Sequence, residues 1–222
     1  MIDKTLQKWL SLVFLLALPS TAACSKASIE EELQVTVAVH NDAEIPASTL
    51  LAAEAEASRL FRQSGVALRW LNCPLPADGP EDPGQCRTAE FPSHFQLRIA
   101  PRSRNLSEIT FGISYLSADG SGCYADLFYN PVEELHERSG VNLASILGYV
   151  AAHEIGHLLL GTNSHAVSGI MRARWQSTEL GSIRAGTLLF SDAESRQMRS
   201  KLAAWRTPPR DASQVATARL GN

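Results

Sequence analysis

The alternation of apolar and polar positions divides the chain into elements before any chemistry is considered. Residues 33–40 read Leu-Gln-Val-Thr-Val-Ala-Val-His, a period of two that predicts a strand. Pro46 stands where a first helical turn tolerates it, and Leu50, Leu51, Ala55, Ala57, Leu60 and Phe61 then recur at helical spacing until Gly65 stops the run. Residues 66–71 form a second strand. Residues 74–92, rich in Pro, Gly and Asp, predict a long exposed loop. Strands follow at 95–99 and 109–116, and a weaker, edge-like strand at 123–129.

Residues 131–138 fit a short helix broken by Ser139-Gly140. The strongest helix signal spans 143–160, capped by Asn142 or Ser145 and ended by Gly161. A last helix covers about 191–206. Ser191 and Glu194 have capping-box spacing, Met198, Leu202 and Trp205 share a face, and Pro208-Pro209 terminates it. Strands and helices in this order predict an α+β fold.

The first 23 residues have a different character. Lys4 and Lys8 give a basic start, residues 9–18 are almost wholly apolar, and Ser20, Thr21, Ala22 and Ala23 follow. That order is a secretory signal peptide cleaved after Ala23, so residues 24–222 form the mature single domain of an exported protein, periplasmic or secreted. The apolar run is too short to cross a bilayer permanently, and no later segment is expected to cross one. Cys24 becomes the first mature residue and a candidate lipid anchor, although Thr21 stands where the usual lipoprotein pattern has Leu.

Export permits disulfides, and Cys73 and Cys86 flank the long loop in a way that suits a staple. Cys123 is left to pair with Cys24 or to stay free. Hydrophobic residues make up 45% and the formal net charge is -3, which fits a globular protein without a pull toward nucleic acid.

The candidate chemistry lies on the strongest helix. Residues 152–165 read Ala-His-Glu-Ile-Gly-His-Leu-Leu-Leu-Gly-Thr-Asn-Ser-His. A spacing of four puts His153 and His157 on one helix face, so both imidazoles reach one ion. Glu154, next to the first His, is placed to act on water at the metal without ligating it. Ile146, Val150, Leu159 and Leu160 bury the helix, and buried histidines without partners are costly.

This segment resembles the zincin peptidases, and among them the metzincins. Two helix histidines, a Gly that ends the helix, a third His beyond it and a Met in a turn below the metal correspond here to His153, His157, Gly161, His165 and Met171. Gly169-Ile170-Met171 takes the place of the Met-turn. The stretch also resembles a group of exported bacterial proteins. The resemblance implies a zincin/metzincin-like fold, a twisted mixed sheet packed on helices with the active-site helix beneath it. It implies a Zn2+ cofactor, a peptide or protein substrate, and zinc-dependent endopeptidase activity with Glu154 as general base. It also suggests that substrate lies along an edge strand, with residues 122–126 as the rim.

The spacing departs from the family. Gly161 lies four residues after His157 and His165 eight after it, where metzincins have three and six. Asn163, a poor zinc ligand, occupies the usual ligand place. One reading gives helix and loop an extra residue each and keeps His165, the sole His downstream of His157, as third ligand. The other takes Glu179 as third ligand, as in zincins that use a Glu from a later helix. Tyr124, Tyr129 and Arg172 are candidates for a second oxyanion donor, and His94 and His136 are expected at the surface or hydrogen-bonded. Two other functions stay open: a non-catalytic zinc-stabilised binding or structural module, and a zinc amidase acting on cell-wall material.

Overall fold

The computed structural model describes residues 32–74, 84–103 and 110–206. Its elements run β1 (Gln34–Asn41), α1 (Ala47–Gln63), β2 (Ala67–Cys73), β3 (His94–Ala100), β4 (Gly112–Tyr115), β5 (Tyr124–Phe128), α2 (Tyr129–Ser139), α3 (Leu143–Leu160), α4 (Ser177–Ala185) and α5 (Asp192–Arg206). The signal-peptide region, Cys24, residues 75–83 of the long loop, Ile109 and Pro208-Pro209 lie outside the described residues.

Val35, Val37 and Val39 of β1 and Phe95, Leu97 and Ile99 of β3 alternate into the core, as the period of two requires. The strand order is β2-β1-β3-β5-β4. β1 pairs in parallel with β2 and β3, β3 pairs in parallel with β5, and β4 runs antiparallel to β5. The sheet is therefore mixed and helices pack on it, which is the expected α+β architecture. One expectation needs correcting. β5 is paired on both sides and is not an edge, so residues 122–126 cannot be a rim open to a further strand; the edge beside it is β4.

α3 is apolar all round because it is surrounded. It packs against α1, α2, α4, α5, β4 and β5. Asn142 caps it by accepting from Ser145 N–H at 3.0 Å. By length and composition α3 would pass as a membrane span, contrary to expectation, yet its residues are buried inside the protein, as a core helix's are. α1 buries Leu50, Ala53, Ala57, Leu60 and Phe61, while Leu51 points to solvent. Ser191 and Glu194 form their capping box ahead of α5, whose Met198 and Leu202 are buried and whose Trp205 is exposed. Cys73 and Cys86 are disulfide-bonded across the loop, and Cys123 is unpaired among the described residues.

α4 was not foreseen. It carries few apolar positions, and what starts it is a capping box between Gln176 and Glu179.

Candidate metal centre

His153 and His157 project from one face of α3, and both are buried. Gly161 ends the helix with φ 66°, a left-handed turn that suits glycine. The chain then folds back through Thr162 to His165, and Ala166 N–H closes this loop on the carbonyl of Met171 at 2.8 Å. The result is a cluster of His153, His157 and His165, whose ligand atoms lie within 4.8 Å of one another. The His165 ring centroid stands 4.9 Å from that of His157 and 5.3 Å from that of His153. His165 is the exposed corner, and Asn163 lies in the solvent-facing part of the loop.

The backbone sets the tautomers. His153 Nδ1 lies 2.8 Å from the Ile170 carbonyl, and His157 Nδ1 lies 2.7 Å from the Thr162 carbonyl. A carbonyl only accepts, so each Nδ1 carries the proton and donates it. Burial pushes the His153 pKa down to about 3 and lowers that of His157, so both rings are neutral. Their Nε2 atoms therefore bear lone pairs, and these face each other at 3.1 Å. Two lone pairs at that range repel unless a cation lies between or beside them. In a tetrahedral zinc site, with Zn–N near 2.0–2.1 Å, neighbouring nitrogens stand about 3.3 Å apart. The donor set fits zinc.

Glu154 is buried and its side chain lies against β4. Ser114 Oγ lies 2.6 Å from its Oε2 and 2.8 Å from its backbone carbonyl. Burial raises the Glu154 pKa to about 7, and the Ser114 hydrogen bond partly opposes the shift.

The turn holding Met171 packs against α3. Met171 is buried, and a Cβ built on Gly156 would sit 2.7 Å from its Sδ. The Ile170 carbonyl that orients His153 also accepts from Trp175 Nε1 at 3.2 Å. The Trp175 ring stands edge-on to His153 at 6.1 Å. The Ile170 and Thr162 carbonyls were invisible to sequence reading, because a backbone acceptor has no residue signature.

Glu179 lies outside the cluster. One carboxylate oxygen accepts from Gln176 N–H at 2.9 Å, and the other pairs with Arg172. The backbone N–H and Arg172 hold this carboxyl below the usual carboxylate range. Tyr129 OH bonds Glu133, and Tyr124 lies exposed on the sheet. His136 is hydrogen-bonded to the Val141 carbonyl, as expected. His94 is not: it is buried with Nε2 unpartnered, because it sits on β3 rather than in a loop.

No protein-family model matches the chain, and no curated protein matches it. Among solved structures, the chain is similar to a zinc-dependent peptidase from Methanocorpusculum labreanum, with 16% identity, a TM-score of 0.48 and 73% of this chain aligned to 99% of that one. It is also similar to an archaemetzincin from Methanopyrus kandleri, with 15% identity, a TM-score of 0.47 and 79% of this chain aligned to 99% of that one.

Proposed function

We propose that the chain is a zinc-dependent endopeptidase in which His153, His157 and His165 hold the ion and Glu154 is the general base. The observation that carries this reading is the pair of facing Nε2 lone pairs on α3, with a third imidazole at the solvent side. Three protein ligands are the number found in catalytic rather than structural zinc sites. Bound zinc supplies a Lewis acid that activates water and polarises a carbonyl.

The chain's own residues do the rest. The Ile170 and Thr162 carbonyls fix the imidazole tautomers so that Nε2 is free to ligate. Glu154, with its pKa raised to about 7 by burial, is matched to taking a proton from water and giving it to a leaving amine near neutral pH. Met171 and Gly156 pack the floor beneath the histidines. Glu179, the other candidate for third ligand, is committed to the α4 capping box and Arg172.

Export belongs to the same proposal. The order of residues 1–23 supports it, and a Cys73–Cys86 bond suits an oxidising compartment. Mass spectrometry of the mature N-terminus tests it and detects any lipid on Cys24.

Metal analysis with a hydrolysis assay on proteins, short peptides and peptidoglycan, with and without a chelator, tests the activity. The expected result is chelator-sensitive peptide cleavage that Glu154→Ala abolishes while zinc is retained. Metal uptake without turnover would point to a zinc-stabilised module instead, and cleavage of peptidoglycan alone to a cell-wall amidase.

A further inference from the structure

Residues along β4 alternate in direction, and the two on the α3 side, Gly112 and Ser114, both meet Glu154. Ile113 and Tyr115 face the other way and line a groove with Arg98 and Asp126. Gly112 leaves the space that Glu154 occupies: a Cβ there would lie 2.7 Å from both Cγ and Oε1 of Glu154. Ser114, itself 6% exposed, reaches Glu154 Oε2 at 2.6 Å and the Glu154 backbone carbonyl at 2.8 Å. The side chain of Glu154 is thus flanked by the two smallest residues of β4, one giving room and one giving a bond.

We infer that Gly112 and Ser114 form a cradle that fixes the rotamer of Glu154, which makes Ser114 a positioning residue for the general base. The inference rests on the peptidase reading above. A Glu side chain left to itself samples several rotamers, and catalysis needs one of them held to within a fraction of an ångström. A hydroxyl suits this task because it both donates and accepts, so it stays bonded to a carboxyl group in either form. Alanine, valine or leucine at 114 would supply packing without that bond. Any residue larger than glycine at 112 would occupy the place of the Glu154 side chain.

The test compares Ser114→Thr with Ser114→Val, two side chains of nearly equal shape that differ in the hydroxyl. Gly112→Ala provides an independent variant should valine not fold. Zinc content, kcat and KM are measured for each full-length protein, and metal-free crystal structures report the Glu154 rotamer. Zinc content is expected to match wild type throughout. The Val and Gly112→Ala proteins should lose roughly 10–100-fold in kcat with KM little changed, and their Glu154 should leave its place beside β4. The Thr protein should keep both rate and rotamer. Wild-type kcat in the Val protein, an unmoved Glu154 in it, or equal impairment of Thr and Val would overturn the inference. If wild type cleaves no peptide, the peptidase reading fails, and the Glu154 rotamers still decide the cradle on their own.

Discussion

His153 Nε2 and His157 Nε2 face each other at 3.1 Å while both Nδ1 protons are spent on backbone carbonyls. Neither ring can donate to the other, and burial opposes adding a proton to either. The first prediction follows from this pair. Zinc should bind with one-to-one stoichiometry and raise stability by about 4 kcal/mol when free zinc is a thousand times Kd. His153→Ala and His157→Ala should abolish that gain, His165→Ala should weaken it, and Glu179→Ala should leave zinc affinity unchanged. Calorimetric titration of the four variants measures this. Full affinity in His165→Ala, or a large loss in Glu179→Ala, would reassign the third ligand.

Glu154 lies next to His153 in sequence but its carboxylate turns to Ser114 on β4. Glu154→Gln should therefore retain zinc and the fold while losing about 10²–10⁴-fold in rate, the usual worth of a general base. Zinc content by mass spectrometry and kcat on a cleaved peptide check both halves. Retention of full rate would remove Glu154 from its role.

The pH dependence of metal-free stability has two opposing parts. Burial holds the His153 pKa near 3 in the fold against 6.5 when free, so the unfolded chain takes up a proton first as pH falls. Stability should drop as pH goes below 6.5 and continue to drop toward 3. Glu154 acts the other way, with a folded pKa near 7 against 4.5. Its contribution is fully present below 4.5 and is lost as pH rises through 7. Urea denaturation of chelator-treated protein across this range should show a steeper acid loss between pH 6.5 and 4.5 in Glu154→Gln than in wild type, where Glu154 offsets it, and a loss between 6.5 and 7 in wild type alone.

Met171 packs against Gly156 of α3, with Phe190 on the same spot at 3.0 Å from a Cβ built on Gly156. Met171→Ala should cost about 2–5 kcal/mol through the cavity it leaves. Gly156→Ala should cost about 1–3 kcal/mol by overpacking. Urea midpoints read both, and a neutral Gly156→Ala would mean that the floor yields more than its contacts imply.

The sequence made α3 legible because its apolar run is long, Asn142 caps it, and a four-residue spacing puts two histidines on one helix face. β1 and β3 were legible through their period of two. Strand neighbours were not, since periodicity tells which face a residue takes and not which strand lies beside it. That is why β5 was read as edge-like and β4 was not singled out. Ser114 could not have been chosen from the sequence: its importance comes from β4 crossing beside Glu154, forty residues away. α4 was missed because a single buried apolar residue, Ile183, anchors it, leaving no stripe to find. His165 stood out by its type and the fold brings it to His153 and His157, whereas the loop spacing gave no hint that Glu179 bonds Arg172 and Gln176.

The imidazole cluster is tested most directly by zinc K-edge X-ray absorption of the folded, zinc-loaded protein. Three imidazole nitrogens at about 2.0–2.1 Å plus one oxygen at a similar distance are the expected first shell. A shell containing sulfur, or one without imidazole, would contradict the account.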